Sequence, residues 1–186
     1  SQCSKNYFYG KVPIYEKSLG RLEGITATVL KILQTEQGVV RNFEAFKILS
    51  LYVLVQERRT LNASIESKKM KDELHESVFG DEASTDQTLE DLAIENTKMA
   101  FSSSPQLYDL KLIQVENKTA MDFITSDNPV AMCNKFLDLT RGHSSFGLAS
   151  SGVYFLLPVS PRFAVMLYDP LVYATKTDPN GILRLR

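Results

Sequence analysis

The residues best placed to do chemistry form one polar run, Thr125-Ser126-Asp127-Asn128, followed by Pro129-Val130. Asx and hydroxyl side chains bond nearby backbone, and a proline forces the residue before it into an extended conformation. The run therefore reads as a rigid exit from a strand. Polar groups held that rigidly can ligate a metal, bind a phosphate or position a base, and the same features also serve a purely structural turn. A second candidate pairs Glu16 with Glu23. Seven helical residues make about two turns, which places both carboxylates on one face, ~10 Å apart at the backbone. Glu23 lies between Leu22 and Ile25, beside an apolar stripe, and a buried carboxylate wants a cation. Arg58 or Arg59 can supply it. The outcome is either an Arg–Glu strut between helices or, with Asp127, a Glu–Arg–Asp cluster able to hold a divalent cation. The third candidate is Leu157-Pro158-Val159-Ser160-Pro161-Arg162. It reads as a stiff hairpin tip where Ser160 and Arg162 could receive an anion, or simply as a tight turn.

Other catalytic patterns are missing. There is no phosphate-binding glycine loop and no dinucleotide fingerprint. Gly147-Leu148-Ala149-Ser150-Ser151-Gly152 lacks the glycines two residues either side of a serine that a nucleophile elbow requires. His75 and His143 are the only histidines, and neither has metal spacing, so no zinc site is expected. His143, in a Ser/Gly-rich loop, is either a surface histidine or a base. Cys3 and Cys133 fit no metal pattern and read as free thiols of a reducing compartment. The glycosylation triplets at Asn62 and Asn117 carry no weight.

Composition narrows the class. With 186 residues, 44% hydrophobic and 23% charged, the chain is long enough for one domain with a real core. Twenty-one basic and 22 acidic residues leave a net charge of −1, so no general nucleic-acid affinity is expected. Nothing approaches the ~18 consecutive apolar residues of a membrane span, and the opening Ser1-Gln2-Cys3 lacks the pattern of a signal peptide. A soluble, cytoplasmic protein is expected, with partners unspecified and no membrane association. The absence of an initiator Met points to residues missing at the start.

The positioning elements follow from periodicity. Pro13 can start a helix carrying Leu19, Leu22, Thr26, Val29 and Leu33 at three- and four-residue steps, stopped near Gly38. Asn42 caps a second helix to about Arg59, apolar on most sides and so central. Residues 64–78 form a charged, solvated helix face, and 80–84 a loop. Thr85 or Asp86 caps a further helix carrying Leu89, Leu92, Asn96 and Met99, ended by Ser102-Ser103-Ser104-Pro105. Strands are expected at 110–115, returning at 121–126 after a turn at 117–119, then at 153–157 and 163–168 as a hairpin. A polar loop spans Arg141 to Gly152. Helices first and strands afterwards predict an α+β fold: N-terminal helices over residues 13–102 packed on an antiparallel sheet of about four or more strands over 107–186, in a single domain spanning 1–186.

At these places the chain resembles the family catalogued as domain of unknown function four-two-three-eight. The resemblance is carried, in order, by Asn6-Tyr7-Phe8-Tyr9-Gly10, Glu16, Leu19 with Leu22-Glu23-Gly24, Gln56-Glu57-Arg58-Arg59-Thr60, Phe123 to Val130, and Leu157 to Arg162. Two departures stand out. Family members open with a His-Tyr-x-Pro segment and continue into a further helix, so this chain reads as the family's core. The resemblance implies no activity, but it raises the weight on Glu16, Glu23, Arg59 and Asp127 acting together.

The functional expectation is a pocket where the helices meet the Asp127 strand end. In its enzymatic form it hydrolyses a phosphoester with metal assistance. Asp127 and Glu23 would hold a divalent cation, the one cofactor considered, and Arg59 would stabilise phosphate charge. The Glu-x-Lys partner of common restriction-type nucleases is misplaced, since Glu116-x-Lys118 precedes Asp127 and falls at a turn. The alternative is a non-catalytic interaction or scaffold module in which these polar residues lock helices onto the sheet.

Overall fold

The computed structural model describes residues 14–34, 42–80, 86–136, 147–179 and 181–186. The elements are helices α1 (Ile14–Leu33), α2 (Phe43–Arg58), α3 (Leu61–Phe79) and α4 (Leu89–Ser103), a 3-10 turn (Ser104–Leu107), and strands β1 (Lys111–Asn117), β2 (Ala131–Asn134), β3 (Val153–Pro158), β4 (Phe163–Tyr168) and β5 (Ile182–Leu185). The fold is α+β. Among the described residues, no helix is long and apolar enough to cross a membrane.

Each helix starts and buries itself for a local reason. Asn42 caps α2, its side chain accepting from Glu44 N at 2.8 Å. Thr60 ends the two-residue link from α2 and caps α3 by accepting from Ala63 N. The cap of α4 is Thr88, in a capping box with Asp91, rather than the expected Thr85 or Asp86. Thr88 wins because Asp91, three residues on, answers its backbone N–H. Helix α2 buries Leu49, Val53, Leu54 and Val55, each worth about 1.5–3 kcal/mol of apolar burial. By contrast α3 buries only Ser64, as a solvated face should.

The sheet order is β2-β3-β4-β1-β5. β3 and β4 form the expected hairpin, and β4 pairs antiparallel with β1 in the register Leu112↔Leu167. Alternation then sorts the faces. Leu112, Val153, Phe155, Leu157, Val165 and Leu167 join the helical layer. Ile113, Val115, Tyr154, Leu156, Ala164, Met166 and Tyr168 form a second apolar cluster on the other face, with Phe123 and Tyr173 packed on it. Buried Gln114 donates to Leu33 O at 2.8 Å and so ties the end of α1 to the sheet.

Two expectations about the sheet are corrected. It is mixed, not antiparallel, because β5 pairs parallel with β1. Residues 121–126 are not a strand: β1 already has β4 on one side and β5 on the other, so a returning segment finds no edge. The Asn117 side chain instead bonds Thr119 N and Met121 O, turning the chain away. Pro13, Gly38, Cys3, His143 and the Asn6–Gly10 motif lie outside the described residues.

Candidate functional site

Some of the polar candidates gather at the corner between α2 and α3. Successive helical residues point about 100° apart, so Arg59 and Glu57 leave the end of α2 on different sides. On one side Arg59 Nη1 bonds Glu23 Oε1 of α1 at 2.6 Å. Their side chains are 30% and 45% exposed, so this pair sits at the surface of the helical layer. Tyr52 lies about two helical turns before Arg59. Burial pushes its hydroxyl pKa up, Arg59 opposes this and Glu23 adds to it. Glu16 is exposed in the first turn of α1.

On the other side, a cavity of about 900 Å³ opens against α3 and the turn leading into β2. Its walls include Glu57, Arg58 and Thr60 from the corner, Glu66, Lys69 and Glu73 from α3, and Asn128 from the turn. The Glu57 side chain is only 20% exposed, and burial raises its pKa against the lowering effect of Arg58. Glu57 Oε2 is shut off from solvent without a hydrogen bond, although Arg58 Nε lies 2.8 Å away as an ion pair. Neighbouring helical positions do not face each other, which explains the poor alignment of that contact.

The Thr125–Asn128 run is rigid, as its residue types require. Ser126 Oγ accepts from Asn128 N at 3.2 Å and donates to Asn128 O at 3.0 Å. The Asn128 side chain makes no hydrogen bond among the described residues and lines the cavity. Asp127 is exposed, and neither it, Glu23 nor Arg59 lines that cavity. Thr125, Ser126 and Asn128 also border a second cavity of about 480 Å³ beside Leu156 and Pro158. At the hairpin tip, Ser160 Oγ accepts from Phe163 N. Arg162 donates to Thr119 O and pairs with Asp122, so both serve the turn. Among the described residues, no group of three His, Cys, Asp or Glu is gathered to hold a metal ion.

The structure thus brings Glu23 to Arg59, and sets Asn128 in the lining of the same cavity as Glu57 and Arg58. Glu57 is not among the candidates the sequence offers, because nothing in its spacing sets it apart from an ordinary helical glutamate. The one available signal was its place in Gln56-Glu57-Arg58-Arg59-Thr60.

These features define an α+β protein with a helical layer on a mixed sheet and a cavity between the α2–α3 corner and the turn before β2. A family model described as protein of unknown function (DUF4238) matches residues 1–184. The chain belongs to that family. No curated protein and no solved structure matches it significantly.

Proposed function

We propose that the chain binds a small polar ligand in the cavity between the α2–α3 corner and the 126–128 turn. The observation that carries this reading is Glu57, a carboxyl with a raised pKa, one-fifth exposed in the wall of an open cavity and met there by a poorly aligned Arg58. Perturbed titratable groups in clefts are candidates for binding and catalysis. Asn128, whose backbone N–H is held by Ser126, adds an amide to the lining of the same cavity.

The hydrolytic form, with Asp127 and Glu23 on a metal and Arg59 on phosphate, has less support. Arg59 is engaged by Glu23, and Asp127 does not line the cavity. The scaffold alternative is favoured for that one pair, since the Glu23–Arg59 contact joins α1 to the end of α2 as a strut.

The test is a thermal-melting screen of amino acids, amines, carboxylates and phosphate esters. A ligand at 100 times its Kd stabilises by about 2.7 kcal/mol, or roughly 5–10 °C for a chain of this size. The shift should shrink in Asn128→Ala and Glu57→Gln. A stabilising compound whose effect survives both substitutions places its site elsewhere, and no shift with any class counts against the proposal.

A further inference from the structure

We infer that helix α3 presents an apolar ridge on which an amphipathic helix with basic flanks, supplied by a partner protein, docks. The observation is an inverted helix. A surface helix turns its apolar stripe toward the core and its polar face outward. In α3 every large apolar side chain is exposed instead: Leu61, Ile65, Met70, Leu74, Val78 and Phe79 are 38% to 73% accessible. The inner face is polar. Ser64 is its buried residue, Ser67 donates to Asn96 at 3.0 Å, and Lys71 donates to Gln87 and Glu95. Packing of an apolar face supplies most of a helix's stability, and α3 keeps its own turned away from the rest of the chain.

Met70, Leu74 and Val78 are 60%, 63% and 61% exposed. They stand at successive four-residue steps, the row that a second helix takes into its groove. Charge then selects the partner. At about 100° per residue, Glu66 and Glu73 fall beside the outer flank of this row. Lys71 falls on the inner flank, where Glu95 holds it at 2.6 Å. The outer carboxylates are little compensated: Glu73 meets Lys69 only at 3.8 Å, both side chains well exposed, and Glu66 enters no ion pair among the described residues. A docking helix with lysine or arginine along its flank meets those carboxylates as its apolar face meets the ridge. A second copy of this chain would bring carboxylates to the same flank and be repelled. Met70 borders the cavity described above, whereas Leu74 and Val78 do not, so docking on the ridge is separable from a ligand in the cavity.

The probes are two synthetic helices of about 14 residues, roughly four turns, each with leucines along one face. One carries lysines on its other face, the other glutamates. Each is titrated into the full chain with two-dimensional amide NMR as the readout. The lysine probe should shift the amides of Leu74 and Val78 saturably, with a Kd about tenfold weaker in the double variant Met70→Ser/Leu74→Ser. In Glu66→Lys/Glu73→Lys the Kd should weaken several-fold. Should the first variant fail to fold, the second decides: an unchanged Kd there overturns the proposal. The glutamate probe should leave those amides unmoved, and a glutamate probe that binds as tightly as the lysine one overturns the basic partner. Binding that survives Met70→Ser/Leu74→Ser lies elsewhere and overturns the ridge, as does a failure of both probes to move the two amides. Sedimentation adds one further outcome: self-association that Met70→Ser/Leu74→Ser abolishes would give the ridge to a second copy and also overturn the proposal.

Discussion

Strand β5 depends on one arginine. Arg184 Nε donates to Glu116 Oε2 at 2.7 Å, and Arg184 Nη1 pairs with Asp178 Oδ2 at 2.9 Å. The Glu116 and Asp178 side chains are 9% and 13% exposed. Arg184→Ala strips both carboxylates of this cation. Breaking a fully buried pair costs about 3–5 kcal/mol, and an exposed one below about 1 kcal/mol. Arg184 is 31% exposed, and Lys118 remains 3.3 Å from Glu116, so the cost should fall between, about 2 kcal/mol. At roughly 2–4 °C per kcal/mol for this chain length, the melting temperature should drop about 4–8 °C. Thermal melting followed by circular dichroism measures it. Glu116→Leu combined with Arg184→Leu should lose less than Arg184→Ala, because Asp178 alone, and not both carboxylates, is left without the arginine. Burial works against the charged form of Glu116, but hydrogen bonds from Arg184 and Lys118 outweigh it and hold its pKa below the usual carboxylate value. The stabilisation is therefore present above the ordinary carboxylate range and lost as pH falls through the lowered value, so wild type and Arg184→Ala should converge in acid. An Arg184→Ala protein melting within about 1 °C of wild type at neutral pH, or a double variant melting below the single one, refutes the strap.

Glu57 has the opposite sign. Its folded pKa is raised, so the folded state holds the proton more tightly and stability declines as pH climbs from the ordinary carboxylate range through the raised value. Glu57→Gln should lack this decline: its melting temperature should exceed that of wild type near neutral pH and meet it in acid, and a wild type that gains on the variant as pH rises contradicts the assignment. Gly152 has φ +80°, and a Cβ there would sit 2.8 Å from the Phe136 ring. Gly152→Ala should cost about 2 kcal/mol from the left-handed backbone and the crowding together, read as a lower midpoint in denaturant. Phe136 is 41% exposed and can give way, so a loss far above that figure would mean that the ring is locked.

What the sequence disclosed tracks how local the cause was. Asn42 was legible as a cap because its bond runs only two residues, to Glu44. The hairpin at 153–168 was legible because two short apolar runs are stopped by Pro158 and by Asp169-Pro170. β2 and β5 are four residues each, too short for a period to declare itself. β5 also finds its partner 68 positions away, through Arg184 and Glu116. Residues 121–126 look like a strand by composition, yet whether a strand forms depends on a vacant sheet edge, and β1 has none. The cavity was illegible for a similar reason: Glu57 and Asn128 meet only through the folded corner.

The corner shows why the strut and the proposed site need not compete. Arg59 N donates to Val55 O to end α2, and Thr60 caps α3 one residue later. No slack separates the two helices, so whatever fixes Arg59 also fixes where Glu57 points. The Glu23–Arg59 pair holds that end of α2 from the α1 side, while Glu57 and Arg58 face the cavity on the other. A surface pair of this kind is worth under about 1 kcal/mol in stability. The carboxylate of Glu23 on α1 thus contacts the end of α2 without lining the cavity.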